Sequence, residues 1–174
     1  MPTNARRWVL ASRPEGKPRL ENFRLEDFTL PDPGEHELLI RTEFHSVDPG
    51  MRSRLSGASY AAALPLGETI DSAMVGVVEI SNNEKFKPGD RVTGGFGWVS
   101  HALSNGRGIQ KLDPALYHGR LRPTAAIGVL GIPGLTAYFG LLDLGKPRAG
   151  DTVLVSSAAG PVGATAGQIA RMKG

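Results

Sequence analysis

The sequence predicts an α/β protein that is β-rich over its first two thirds, and three observations carry that prediction. Short apolar runs separated by Gly/Pro turns fill the chain up to about residue 112. After Pro114 the order becomes helix, apolar run, glycine loop, helix, an α/β arrangement. With 23 glycines and 13 prolines in 174 residues, the chain has too many turn formers for a helical bundle, yet fewer than low-complexity sequence carries. Its apolar fraction of 40% is enough for a sizeable core and excludes a disordered chain.

Each element has its own signal. Trp8-Val9-Leu10 is a short extended run closed by a Pro/Gly cluster, and Phe23, Leu25, Phe28 and Leu30 follow a near-alternating rhythm that stops at Pro31-Asp32-Pro33-Gly34. Glu37 to Val47 carries Leu38, Ile40, Thr42, Phe44 and Ser46 on one parity, which predicts a half-buried strand. Met74 to Ile80 is β-branched and interrupted by Gly76, a sign of a bulge or a close backbone approach. Lys87-Pro88-Gly89-Asp90 has the residues of a type II turn, and Arg91-Val92-Thr93 resumes a strand. Short strands at this spacing predict a barrel-like domain, assigned to residues 1–122.

Residues 123–174 form the second region. Pro133 to Leu142 reads as a helix with Leu135, Tyr138, Phe139 and Leu142 on one face, ended by Gly145, with Pro147 barring continuation. Asp151 to Ser156 reads as a short apolar strand, and a helix is expected from about Gly160 to Met172. No internal repeat is present. One strand and one helix do not make a parallel sheet, so the chain is expected to be a portion of a longer polypeptide or to be completed by another.

Several function classes are excluded at this level. The net charge is +3, and basic residues occur at most in pairs such as Arg6-Arg7 or Arg52 and Arg54; these are read as solvated faces, not a nucleic-acid footprint. There is no cysteine, so disulfides, thiolate zinc sites and a catalytic thiol cannot form. His45-x-x-Asp48 is the one close His/carboxylate pair, His36, His101 and His118 are scattered, and no metal site is expected. Ser156-Ser157 lies in a glycine-rich elbow but lacks the G-x-S-x-G pattern of a serine hydrolase. The longest apolar stretch, Ala125 to Ile132, is far short of the ~18 residues that cross a bilayer, and no export signal is present; the expectation is a soluble, cytoplasmic protein without nucleic-acid or membrane partners.

The segment that carries chemistry is Val153 to Gly167. Ala158-x-Gly160-x-x-Gly163 follows an apolar run and opens a helix, as the dinucleotide fingerprint does, with alanine in its first place. A phosphate needs backbone N–H groups at the positive end of a helix, and small residues let it approach. Gly163, Gly167 and Ala170 form a small-residue stripe that would let the helix lie close on its strand. The alternative is a glycine-softened strand–helix turn without a ligand. The acidic companion of the motif, about 20 residues further on, would fall past Gly174, so these residues leave NAD and NADP both open.

At these motifs the chain resembles the zinc-independent medium-chain dehydrogenase/reductases of the prostaglandin reductase (leukotriene B4 dehydrogenase-like) branch, the 2-alkenal or curcumin reductase type. The resemblance runs essentially end to end, through RRWVLASRPEG (6–16), ENFRLEDF (21–28), SVDPGMRSR (46–54), KPGDRV (87–92), GWVSHALSNG (97–106), GIPGLTAYFGLLDLG (131–145) and AAGPVGATAGQIARMKG (158–174). It implies a GroES-like β-barrel domain over 1–122 and the first β-α unit of a Rossmann domain from 123. It implies NADPH as cofactor and reduction of the carbon–carbon double bond of α,β-unsaturated ketones or aldehydes, with a homodimer as the full-length form. The cofactor contacts it implies fall on Pro49, Ile132, Thr136, Ala159, Gly160, Pro161, Val162 and Gly163; it assigns no catalytic residue and no metal ligand. Gly50 stands where the family carries tyrosine beside the substrate, with Tyr60 on a nearby loop to fill that pocket, and Ser157 replaces a common alanine. The 174 residues alone are expected to be inactive. The alternatives are a non-catalytic GroES-like association module, or a quinone or enoyl reductase of the same superfamily.

Overall fold

Alternating and β-branched runs find antiparallel partners throughout the first part of the chain. In the computed structural model, which describes residues 1–57 and 61–174, the chain divides into two compact units, Met1–Asp113 and Pro114–Gly174. In the first, β1 (Thr3–Leu10) pairs with β2 (Phe23–Leu30) in register from Thr3↔Leu30 to Leu10↔Phe23. β3 (Leu38–His45), β4 (Met74–Ser81), β5 (Arg91–Gly94), β6 (His101–Ser104) and β7 (Gln110–Lys111) form a five-stranded antiparallel sheet in the order β6-β3-β4-β5-β7. Single bridges Arg7↔Val99 and Val9↔Thr69 bring β1 against segments that flank this sheet, so the strands wrap around a common interior. One helix, α1 (Pro49–Ser56), is inserted after β3.

That interior has two cores. Leu38, Ile40, Met74, Val78 and Val92 fill one with Phe86, and Leu10, Leu55, Leu64 and Ile70 fill the other, with Phe23, Met51 and Trp98 packed on its rim. The simple alternation expected along β3 does not hold. Leu38, Leu39 and Ile40 are all buried, whereas Phe44 is 45% exposed. Register shifts at Leu39/Ile40 and Thr42/Phe44 reset the parity, and β4 and β6 flank the strand on both edges. Gly76 fits the close approach read from the sequence: a Cβ there would lie 2.6 Å from Ile40 Cγ2 and 2.7 Å from the Arg41 carbonyl oxygen. At the turn, Gly89 takes φ +91° and the Asp90 N–H donates to the Lys87 carbonyl at 3.0 Å.

The second unit is helical. A 3₁₀ turn at Pro123–Ile127 leads to α2 (Ile132–Phe139), a π-helical stretch continues over Gly140–Gly145, and α3 (Pro161–Lys173) packs against α2. The helical run ends at Gly145, as read, where Lys146 turns left-handed at φ +48° and its N–H reaches the Leu141 carbonyl at 2.9 Å. In α2, Pro133, Gly134 and Ala137 are buried, with Gly134 against the Val129 backbone, while Leu135, Tyr138 and Phe139 on the apolar face are about half exposed. One expectation fails here, the strand read over Asp151 to Ser156. Residues 151–155 form no strand, and Leu154 is 97% exposed. A strand exists by its ladder, and among the described residues none pairs with this segment. No described helix is long and apolar enough to cross a membrane.

Candidate functional site

The glycine loop folds back on the first turn of α3. Ser157 is left-handed at φ +52°, and its carbonyl accepts the Gly160 N–H at 2.9 Å. Gly160 is the extended N-cap (φ −76°, ψ 164°), Pro161 takes N1, and the Gly160 carbonyl accepts the Ala164 N–H at 2.8 Å. The loop backbone lies directly on Gly163: a Cβ there would sit 2.5 Å from the Ser157 oxygen and 2.8 Å from the Ala158 Cα. Any other residue would push the loop off the helix start.

The electrostatics follow from this geometry. The amides of Val162 and Gly163, at N2 and N3, have no acceptor within the helix, and no side chain caps it. The first turn carries no acidic residue, while Arg171 and Lys173 sit at the negative end, so a positive potential stands at the loop. Ala158 and Ala159 are exposed and small, which leaves the amides open to an anion. Farther along, the expected stripe is only partly used. Nothing lies within 4 Å of a Cβ at Gly167.

The other site residues fall on two helices. Ile132 opens α2 and is 76% exposed; Thr136, four residues on, is exposed and turns its hydroxyl back to donate to the Ile132 carbonyl at 2.7 Å. Since α2 packs on α3, Ile132, Thr136 and the loop Ala159–Gly163 belong to one unit. Pro49 and Gly50 belong to the other, as the first two residues of α1. Asp48 precedes them, accepting the Ser46 hydroxyl at 2.7 Å, and the Ser46 carbonyl is held by Ser72 Oγ at 2.7 Å and Trp98 Nε1 at 3.1 Å. Tyr60 lies outside the described residues.

Sequence reasoning missed the braces on α1. Arg52 and Arg54, read as solvated, are committed: Arg52 donates to the Gly16 carbonyl at 2.6 Å, and Arg54 pairs with Asp71 and donates to Ala62. Arg13 Nη1 reaches the carbonyls of Arg54 and Leu55 at 3.3 and 3.0 Å, the last-turn acceptors a helix leaves open. The RPEG and MRSR strings held that signal, but only the fold brings them together. His45 does not join Asp48 as a pair; burial pushes its imidazole below the usual range, against a bond to the Gly97 backbone. Among the described residues, no three His, Asp or Glu side chains converge as a metal site would require.

The wrapped antiparallel sheets of the first unit are those of an oxidoreductase N-terminal domain. Residues 6–112 match the family of N-terminal domains of oxidoreductases, and the chain belongs to the medium-chain dehydrogenase/reductases. It is 46% identical over 170 residues to the NADPH-dependent curcumin reductase of Escherichia coli (strain K12), covering 97% of this chain and 48% of that protein. It is 42% identical over 170 residues to prostaglandin reductase 1 of Rattus norvegicus, covering 98% and 50%. A crystal structure of CurA from Vibrio vulnificus in complex with NADPH superposes with a TM-score of 0.87 at 42% identity, covering 97% of this chain and 49% of that one. The chain spans about half the length of the curated relatives it matches.

Proposed function

We propose that this chain is the N-terminal portion of an NADPH-dependent oxidoreductase that reduces the carbon–carbon double bond of α,β-unsaturated ketones and aldehydes. In this reading residues 1–122 form a GroES-like substrate domain and residues 123–174 open a Rossmann domain, in a protein that works as a homodimer. The observation that carries it is the uncapped start of α3, where the amides of Val162 and Gly163 have no acceptor and a loop of small residues packs directly on Gly163. That seat fits a dinucleotide diphosphate. A related protein is named for NADPH-dependent reduction of curcumin, and CurA was crystallised with NADPH.

When bound, the dinucleotide supplies the hydride that passes to the β-carbon of the substrate. The chain's own residues do the rest of the work assigned here. The amides of Val162 and Gly163 donate to the diphosphate, Gly160 holds the loop through its own N–H on the Ser157 carbonyl, Pro161 fixes the backbone without donating, and Ala159 keeps the approach open. Ile132 and Thr136 are the nicotinamide contacts the second unit supplies, orienting the ring, while Pro49 of the first unit keeps the same assignment from the resemblance alone. Gly50 stands where the resemblance implies a tyrosine and leaves the substrate side without that aromatic wall.

The test is Gly163→Asp in the gene product that carries this chain. A carboxylate placed against the diphosphate should weaken NADPH binding by about tenfold or more in a fluorescence titration. Enone-dependent NADPH oxidation should fall with it. Unchanged cofactor affinity would remove the diphosphate from this loop, and wild-type protein that oxidises NADPH with no enone would remove the substrate class.

A further inference from the structure

We propose that Asn105 is a site of covalent self-modification: the Asn105–Gly106 turn between β6 and β7 is set to cyclise to a succinimide and reopen as aspartate or isoaspartate. The chain has five asparagines, and Asn105 alone precedes a glycine. The others are occupied or shielded. Asn4 lies in the β1 ladder opposite Thr29, and Asn22 is buried. Asn82 Nδ2 donates to the Pro33 carbonyl at 2.7 Å, and Asn83 Nδ2 to the His36 carbonyl at 2.8 Å. Asn105 is exposed, and its Nδ2 has no acceptor among the described residues.

The local hydrogen bonds arrange the reacting groups. Asn105 Oδ1 accepts the Arg107 N–H at 3.0 Å, which folds the side chain back along the Gly106 peptide and polarises its carbonyl. Gly106, at φ +82°, has no Cβ to shield its nitrogen, and its N–H donates to Ser104 Oγ at 3.1 Å, fixing the amide plane. The Gly106 nitrogen loses its proton and attacks Asn105 Cγ; the new C–N bond closes the ring, the Cγ–Nδ2 bond breaks, and ammonia leaves. Water then opens the ring at either carbonyl. The net change is asparagine plus water to aspartate or isoaspartate plus ammonia, with no oxidant or reductant.

The product matters because the turn is packed. Asn83 Nδ2 also donates to the Asn105 carbonyl at 3.2 Å, and a Cβ at Gly106 would lie 2.9 Å from that nitrogen and 3.1 Å from Phe86, a core residue. Isoaspartate adds a backbone methylene and a negative charge at this junction, which loosens the β6 end of the sheet.

The chain is incubated folded at mildly alkaline pH and digested with trypsin. Cleavage after Arg91 and Arg107 releases residues 92–107, in which Asn105 is the sole asparagine. We expect this peptide to gain about 1 Da and to accept methyl groups from an isoaspartyl methyltransferase, while peptides holding the other four asparagines do not change. Asn105→Gln should abolish the gain, because its imide closes a slower six-membered ring. The folded chain should convert at least as fast as a synthetic 92–107 peptide. Conversion of the free peptide while the folded chain stays unchanged would overturn the proposal, as would equal conversion at Asn82 or Asn83.

Discussion

The two units treat the same kinds of residue in opposite ways. In Met1–Asp113, Val75 and Val78 are wholly buried in β4, a strand flanked by β3 and β5. In Pro114–Gly174, the similar run Val153-Leu154-Val155 belongs to no sheet, with Leu154 almost fully in water. The contrast separates two properties that a sequence pattern merges. Extended conformation is local and follows from β-branched side chains, whereas a strand needs a neighbour to accept its hydrogen bonds. The same separation applies to α2, whose aromatic face is correct in period but is only about half covered within its unit.

The sharpest way to break this comparison is a pair of truncations. Ile40→Ala should cost about 3–4 kcal/mol, because Ile40 is fully buried against Met74 and Val78. Leu154→Ala should change stability by less than about 0.5 kcal/mol in this chain. Urea unfolding followed by circular dichroism measures both, and comparable losses would show that residues 151–155 are held as firmly as β3.

Glycines give the next contrast. Gly76→Ala should destabilise by about 2 kcal/mol, since its methyl would meet Ile40 and the Arg41 carbonyl. Gly167→Ala meets open space inside α3 and should stabilise by up to about 1 kcal/mol through helix propensity. A loss at Gly167 would mean that a neighbour covers that face in solution. Ser157→Gly should stabilise by about 1 kcal/mol, because φ +52° costs a serine what a glycine does not pay.

The smallest effects are those of pH. Burial acts to raise the Asp90 carboxyl, but Lys111 Nζ at 2.6 Å and the Lys87 N–H at 2.8 Å outweigh it and hold the group below the ordinary carboxylate range. A lowered folded pKa gives stability that is present above the unfolded value and lost as pH falls through the folded one. Denaturation midpoints taken from neutral to acid pH should therefore fall less steeply for Asp90→Asn than for wild type. His45, also lowered, loses its contribution in a higher window, beginning as pH drops below the usual histidine value, and His45→Gln should flatten that arm slightly.

Legibility in the sequence tracked how local each cause was. The Lys87–Asp90 turn, the Gly76 contact and the helix starting at Pro161 rest on one residue's conformation or one face's period, and they were read correctly. α1, β6 and β7 were not read. Asp48-Pro49 is a good helix start, but Gly50 weakens the first turn and the helix is only eight residues, and β7 is two residues long, so tertiary bonds define these elements more than propensity does. The candidate site divides the same way. Gly160 and Gly163 could be picked out by spacing, but a serine gives no sign of the left-handed turn at Ser157, and the arginine braces on α1 depend on carbonyls and segments distant in the chain.

By itself the sequence determined the order of β-rich and helical regions, the glycine loop at the head of α3, and the absence of any thiol chemistry. These follow from residue type, spacing and the stereochemistry of glycine and proline, which act over a few residues. Only the tertiary structure decided which extended segments became strands, how bulges placed Leu38, Leu39 and Ile40 all inside, and which arginines hold α1. Those outcomes depend on which hydrogen-bonding and apolar partners come within reach, and distance along the chain says little about that.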